Sequence, residues 1–193
     1  MKVCVVREKS LKEFNNTIKP NLQKIDLVLF SFNTIPQISY EKEILNETSS
    51  IKQLINLSKE LHTSIVIPSI FDLFDEKKFS VLICENGKLV DIINENENNK
   101  IHLFMLNKKR VAFFTLNEIF KDEIVKQTMK GGVDIVLSIL DTQKTELLGE
   151  KLKSLQKEYN AICLALTPKC LFSVSKENNA LETNFCNFFV KEF

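Results

Sequence analysis

Ile25-Asp26-Leu27-Val28-Leu29-Phe30 is an apolar run interrupted by a single aspartate, and Asp134-Ile135-Val136-Leu137-Ser138 repeats its pattern in the second half of the chain. Short, nearly continuous apolar runs are typical of strands that are buried on both faces of a parallel sheet. The two runs therefore predict two buried strands that occupy equivalent places in a duplicated plan.

The segments that follow these runs also repeat in the same order. A predicted helix, Thr48 to His62, precedes a strand at Ser64 to Ile67, and a predicted helix at Leu147 to Tyr159 precedes a strand at Ala161 to Leu166. A hairpin follows each strand, at Phe79 to Ile93 and again from Phe172 to Leu181. Chance similarity is an alternative for any one pair, but three pairs in one order favour an internal duplication.

Turn and cap residues define the ends of several elements. Asn86-Gly87 lies between the apolar runs Phe79 to Cys84 and Lys88 to Ile93, which is a strong hairpin signal because both residues tolerate positive φ. Val3 to Val6 predicts a first strand. Ser10 is a suitable N-cap for a helix with Leu11, Phe14 and Ile18 on one face.

Two such halves would pack their sheets face to face with helices on the outer faces, because buried apolar strands need cover on both sides. The sequence therefore predicts an α/β protein, a four-layer αββα sandwich. With 193 residues and 44% hydrophobic residues, one domain over residues 1–193 is expected.

Composition makes several classes of partner and cofactor improbable. Lys and Arg number 26 against 25 Asp and Glu, so no strong field attracts nucleic acid. The apolar run at the N-terminus is too short for a signal sequence or a membrane span. Four glycines offer no phosphate loop, and two separated histidines without a cysteine pair make a zinc site improbable, so neither a cofactor nor a metal is expected.

Cysteine usage favours a reducing compartment. The chain has 5 cysteines, an odd number, and Cys4, Cys84 and Cys163 lie inside apolar runs where a free thiol behaves as a small hydrophobe. We therefore expect a cytoplasmic protein without membrane contact.

The ordered segments resemble the nitrilase or carbon–nitrogen hydrolase superfamily over nearly the whole chain. The matching segments are the first strand, the Asp26 strand, the Asn86-Gly87 hairpin leading to Lys100-Ile101-His102-Leu103, the Lys130-to-Val136 segment and the Glu150-to-Asn160 helix. The resemblance implies an αββα fold, hydrolysis of amides or nitriles by Cys, Glu and Lys, and oligomerisation. The connection after Leu103 and the C-terminal end are shorter than in the family, so a shortened member is expected.

The resemblance assigns the family's catalytic positions to three residues of this chain. The family lysine corresponds to Lys100, the nucleophilic cysteine to Thr115 and the general base to Phe32. Asn117 takes the place of a usual aspartate, and Asp122 lies near a usual glutamate. No cysteine lies between Cys84 and Cys163, so a shift of the alignment cannot supply the nucleophile.

Two hypotheses follow. The first is a protein that has lost catalysis and acts as a binding or assembly module, a homodimer through its sheet or helix layers. The second is an active hydrolase of small amides or nitriles with a rearranged site, in which Lys100 and Thr115 work with a carboxylate from Glu118 or Asp122. The second hypothesis, unlike the first, requires turnover of a small amide-like ligand.

Some residues have alternatives that the sequence leaves open. Lys100 is either a surface lysine or a buried cation beside Phe32. His62 is expected to end a helix, and His102 to lie on the opposite side of a strand from Ile101 and Leu103. The phenylalanines of the tail belong either to a core or to an association surface; they are Phe185, Phe188, Phe189 and Phe193.

Overall fold

The structure is a computed structural model that describes residues 1–7, 10–32, 34–35, 37–73, 76–94, 100–115, 118–140, 145–167, 170–176, 181–183 and 188–192. The chain divides into two compact units. The first comprises Met1–Asn96 with Phe185–Glu192, and the second comprises Glu97–Asn184 with Phe193. That the chain is a single domain stays a prediction.

The described residues form thirteen strands in two sheets. The strands are β1 (Lys2–Val6), β2 (Leu27–Phe30), β3 (Gln37–Ser39), β4 (Ser64–Leu73), β5 (Glu76–Glu85), β6 (Lys88–Asn94), β7 (His102–Leu106), β8 (Lys109–Thr115), β9 (Ile135–Ile139), β10 (Ile162–Leu166), β11 (Leu171–Val174), β12 (Leu181–Thr183) and β13 (Phe188–Glu192). The first unit has the order β13-β1-β2-β4-β5-β6 with β3 beside β4, and the second has the order β12-β11-β10-β9-β8-β7.

Both sheets have the same directional plan. In the first, β1, β2 and β4 are parallel and are followed by antiparallel β5 and β6. In the second, β8, β9 and β10 are parallel and are followed by antiparallel β11 and β12. The duplication that the sequence predicted is therefore confirmed strand by strand.

Equivalent aspartates hold the starts of the parallel strands in both units. The Asp26 carboxylate accepts the backbone N–H of Lys2 at 2.7 Å, and the Asp134 carboxylate accepts that of Arg110 at 2.7 Å. The N–H of each aspartate donates at 2.9 Å to the carbonyl of the same partner. The aspartate of each repeated run thus fixes the local register between two neighbouring strands.

Five α-helices accompany the sheets: α1 (Leu11–Glu13), α2 (Tyr40–Ile44), α3 (Ser50–Leu61), α4 (Asp122–Met129) and α5 (Thr145–Tyr159). Leu54 and Leu57 of α3 pack into the core of the first unit, where Phe14 and Phe30 meet edge to face at 4.9 Å. None of the helices among the described residues has the length and apolar character needed to cross a membrane.

In the second unit, one core lies between the helices and the sheet. Residues of α4 and α5 pack against β8, β9 and β10. The core residues that are less than 5% exposed include, from the helices, Val125, Met129, Leu148, Leu152 and Leu155, and, from the strands, Ala112, Val136 and Cys163. Burial of such side chains contributes about 1.5–3 kcal/mol each relative to exposure. This core holds β8, the strand that ends at Thr115.

The segment after Ser10 differs from the predicted helix. Ser10 caps α1 through a capping box with Glu13, as expected, but residues Phe14–Ile18 form a π-helical turn and Lys19–Asn21 a 3₁₀ turn. The Thr17 hydroxyl donates to the Glu13 carbonyl at 2.7 Å, which competes with a regular α-helical ladder.

Strand β4 runs further than the predicted Ser64 to Ile67. It continues to Leu73 and contains Pro68, which lies between the stretch that pairs with β2 and the stretch that pairs with β3. A proline is tolerated there because its missing N–H is not needed for a second partner strand.

The turn and tail predictions have different outcomes. Asn86 and Gly87 have φ of 47° and 81°, as the predicted hairpin requires, and Asn107 and Lys108 form a second turn with both φ positive. In the tail, Phe188 and Phe189 lie in β13, which pairs with β1. Phe185 and Phe193 lie outside the described residues.

Candidate functional site

Thr115, which the resemblance assigns to the nucleophile position, ends strand β8 and is 3% exposed. Its hydroxyl donates to Oε2 of Glu118 at 2.7 Å, and its backbone N–H donates to the same oxygen at 2.8 Å. Glu118 begins a 3₁₀ turn, Glu118–Phe120, ahead of α4. The structure thus brings Thr115 together with one of the two carboxylates that the sequence offered.

The bond from the Thr115 N–H to a glutamate three residues later matches one half of a capping box, although Thr115 ends a strand and Glu118 begins the 3₁₀ turn. In a capping box, a glutamate three residues after a threonine accepts the threonine's backbone N–H. Here the carboxylate also accepts a hydrogen bond from the hydroxyl. A structural contact and a hydroxyl–carboxylate pair therefore use the same two residues.

Asp122, the other candidate carboxylate, has a different partner. It begins α4 and accepts a hydrogen bond from Nζ of Lys151 at 2.5 Å. That hydrogen bond and the charge of Lys151 lower the pKa of Asp122. Asp122 is thus paired with Lys151 of α5. Asn117 lies outside the described residues.

Lys100 is exposed and lies two residues before β7. The ladder between β7 and β8 ends with His102 opposite Phe113. Continued by two residues, that register would set Lys100 opposite Thr115, at the carboxyl end of the parallel strands. Of the two alternatives for Lys100, the surface position is the one observed.

Phe32 follows β2 in the first unit and is half-buried. Its ring stacks on Phe79, with centroids 5.5 Å apart and an interplanar angle of 26°. A phenyl ring cannot accept a proton, so Phe32 provides no general base. Its observed contact is a packing contact.

The thiols in the strands are unsuited to nucleophilic chemistry. Cys4, Cys84 and Cys163 are free and fully buried, and burial raises the pKa of each thiol to about 12. Since the thiolate is the reactive form, these cysteines are structural near neutral pH. This confirms the prediction of buried free thiols.

The histidines occupy the places that the sequence indicated. His62 caps the end of α3 in a left-handed conformation, with φ 49°. His102 is 3% exposed, whereas Ile101 and Leu103 are exposed, so it lies on the other face of the strand. No group of three His, Cys, Asp or Glu side chains within the described part of the chain could hold a metal ion.

Two clefts of the second unit lie away from Thr115. One of about 400 Å³ is at the amino ends of β8, β9 and β10, with Arg110, Asp134 and Tyr159 in its lining. The other, of about 310 Å³, lies between α4 and α5 beside the Asp122–Lys151 pair. Neither cleft is lined by Thr115 or Lys100.

No protein-family model matches the chain, and the search of curated proteins finds no match. Solved structures do match over nearly its whole length. Nit3 of Saccharomyces cerevisiae, a member of branch 10 of the nitrilase superfamily, aligns with a TM-score of 0.74 and 14% identity over 99% of this chain and 89% of that chain. The chain has the nitrilase fold.

Two further structures support the same fold. A mutant amidase from Nesterenkonia sp. AN1, with acrylamide added at its active-site cysteine, aligns with a TM-score of 0.71 and 11% identity over 100% of this chain and 93% of that chain. A glutamine-dependent NAD⁺ synthetase from Acinetobacter baumannii aligns with a TM-score of 0.70 and 14% identity over 98% of this chain and 44% of that chain. The likeness confirms the nitrilase-like αββα fold class that the sequence predicted. At these identities it shows the fold alone.

Proposed function

We propose that this nitrilase-fold protein has lost carbon–nitrogen hydrolase catalysis and acts as a binding or assembly module. The observation that carries the proposal is the state of Thr115. The resemblance assigns the nucleophile position to Thr115, whose buried hydroxyl donates a hydrogen bond to the same Glu118 oxygen that accepts its backbone N–H.

Chemistry favours the loss of activity. A threonine hydroxyl is far less acidic than a thiol, so it depends more strongly on a well-placed base. Phe32 supplies none at the position of the family base, and loss of a general base alone costs on the order of 10²- to 10⁴-fold in rate. Lys100 could steady an oxyanion, but it could not activate Thr115.

In the assembly role, the protein would be a homo-oligomer. We place it in the cytoplasm. The buried free thiols fit a reducing compartment. The near balance of charge, with a formal net charge of +1, gives no reason to expect a polyanionic partner. A small amide-like molecule is the ligand class that we propose for the binding role.

One observation favours a second candidate, an active hydrolase of small amides or nitriles. With 2.7 Å between the Thr115 hydroxyl and the Glu118 carboxylate, Glu118 could accept the proton as Oγ1 attacks an amide carbon. The proton would then pass to the leaving amine, and water would release the acyl group. Lys100 would stabilise the oxyanion.

The test compares the purified protein with its variants on a panel of small amides and nitriles. Thr115→Ala, Glu118→Gln and Lys100→Ala remove the three proposed roles one at a time, and Lys88→Ala on β6 is the control. A panel without turnover supports the loss of catalysis. Turnover that disappears in Thr115→Ala and persists in Lys88→Ala would instead establish the hydrolase.

A gain-of-function variant tests whether the family site is otherwise retained. The double substitution Thr115→Cys with Phe32→Glu restores the two family residue types. Amide turnover in this variant, and none in Thr115→Cys alone, would indicate that the missing thiol and base account for the loss.

A further inference from the structure

The turn between β5 and β6 carries the one Asn-Gly pair of the sequence, Asn86-Gly87. Asn86 is exposed, whereas Gly87 is half-buried. In such a pair the backbone nitrogen of the glycine can attack the side-chain amide carbon of the asparagine, because glycine has no Cβ to hinder the approach. The pair is therefore chemically labile wherever the chain around it is free to move.

A hydrogen bond to this nitrogen fastens the turn to helix α3. The N–H of Gly87 donates to Oγ of Ser58 at 2.9 Å. Ser58 is fully buried, and its own hydroxyl donates to the carbonyl of Ile55 at 2.8 Å. The oxygen of Ser58 therefore faces Gly87 as an acceptor.

Helix α3 also lies against the backbone of the turn. A Cβ at Gly87 would lie 3.0 Å from Cβ of Lys59, so Gly87 approaches the helix more closely than a larger residue could. Asn86 and Gly87 both have positive φ, as a two-residue turn between the paired residues Glu85 and Lys88 requires. The helix contact and the turn geometry together restrict the backbone rotation that ring closure needs.

We propose that Asn86 is a latent deamidation site, and that Ser58 of α3 keeps the reaction slow in the folded chain. In the reaction, the Gly87 nitrogen loses its proton to hydroxide and forms a bond to Cγ of Asn86. The bond from Cγ to Nδ2 then breaks and ammonia leaves, which gives a five-membered succinimide. Water opens the ring at either carbonyl and yields aspartate or isoaspartate, and water is the only reactant consumed.

The hydrogen bond to Ser58 opposes the first step. The proton that Gly87 must lose is the one that it donates to Ser58, so ring closure has to break this bond. A serine hydroxyl is too weak a base to remove the proton itself, so the bond restrains the nitrogen without activating it. An intramolecular hydrogen bond contributes about 1 kcal/mol, which corresponds to about fivefold in rate.

The two products differ in their effect on the hairpin. Aspartate, like asparagine, is accepted in a type I′ turn. Isoaspartate adds a methylene group to the main chain, which changes the loop that sets the register of Glu85 opposite Lys88. Deamidation thus converts a transient release of the turn from α3 into a permanent change of the β5–β6 hairpin.

The first experiment measures the conversion of Asn86 in the full chain by peptide mass mapping after incubation in mildly alkaline buffer. Ser58→Ala should raise the rate of conversion about fivefold over wild type. The matched control is Ser80→Ala on β5. Ser80 is also fully buried, and its hydroxyl donates to Oδ1 of Asn94 at 2.8 Å, at the end of the same hairpin away from the turn. Asn86 should convert as slowly in this control as in wild type.

A second experiment follows the Gly87 amide by hydrogen exchange. The pairing of Glu85 with Lys88 does not use the Gly87 N–H, so protection of this amide reports on the bond to Ser58. Exchange at Gly87 should be slow in wild type and fast in Ser58→Ala, while the amides of β4 stay protected in both. In urea, both proteins should convert Asn86 at the same, faster rate, because the unfolded chain lacks the bond.

The contrary outcomes are specific. Equal rates of Asn86 conversion in Ser58→Ala and Ser80→Ala would overturn the inference, and so would wild-type protein that converts as fast in native buffer as in urea. If Ser58→Ala does not fold, wild-type exchange decides the matter. A protected Gly87 amide would support the restraint by Ser58, and an unprotected one would overturn it.

Discussion

Oε2 of Glu118 accepts two hydrogen bonds from Thr115, one from its hydroxyl at 2.7 Å and one from its backbone N–H at 2.8 Å. The carboxylate therefore ties the end of β8 to the turn that precedes α4. Thr115 is the residue that the family resemblance assigns to the nucleophile position, and its hydroxyl makes a local structural contact.

Removal of either partner should lower stability. We expect Thr115→Val and Glu118→Gln each to reduce the free energy of unfolding by about 1 kcal/mol, the usual net contribution of a hydrogen bond. Urea denaturation of both variants and of the double variant measures the coupling. Strictly additive losses would contradict a direct Thr115–Glu118 interaction.

The equivalent aspartates should have equivalent effects. Asp26→Ala and Asp134→Ala each remove a charged acceptor from a strand N–H, so we expect a loss of about 1.5–3 kcal/mol in the free energy of unfolding. Asp72→Ala is the control, because Asp72 bonds only an exposed Gln37 side chain among the described contacts. A loss of unfolding free energy in Asp134→Ala without a similar loss in Asp26→Ala would contradict an equivalent role of the two aspartates.

Two glycines should respond to alanine with opposite signs. Gly132 has φ +70°, and a Cβ there would lie 2.6 Å from Nη1 of Arg110, so Gly132→Ala should destabilise the fold. Gly149 lies within α5, where an added Cβ meets Phe172 at an ordinary 3.7 Å. Gly149→Ala should therefore raise the free energy of unfolding by about 0.5–1 kcal/mol, because alanine has a higher helix propensity than glycine. Thermal unfolding of the two variants checks the contrast.

The raised thiol pKa values predict a pH dependence. Cys4, Cys84 and Cys163 keep their protons up to about pH 12 in the folded chain, whereas unfolded thiols ionise near 9.0. Their contribution to stability is therefore complete below about pH 9 and is lost as the pH rises towards 12. Denaturation at pH 8 and pH 10, compared with a Cys4→Ala variant, measures it.

The same burial predicts the labelling pattern. Native protein with iodoacetamide at pH 8 should leave Cys4, Cys84 and Cys163 unmodified, and all three should react in urea. Peptide mass mapping locates the modified residues. Rapid labelling of Cys163 in the native state would contradict the buried environment of β10.

The sequence was enough to predict the duplicated order of elements, because short-range patterns specify each element of the repeat. The aspartate before each buried run, the Asn86-Gly87 turn and the apolar faces of α3 and α5 each specify their own segment. The order of these segments was enough to predict the αββα class. The sequence also offered Glu118, as an alternative to Asp122, as the carboxylate beside Thr115.

Tertiary structure alone decided which long-range partners these residues take. The sequence offered Asp122 and Glu118 equally to Thr115, and only the packing of α4 beside α5 gives Asp122 to Lys151. Likewise, the pairing of β13 with β1 joins the two ends of the chain in one sheet. Such contacts depend on the folded paths of distant segments, whereas periodicity and turn chemistry report only on neighbours along the chain.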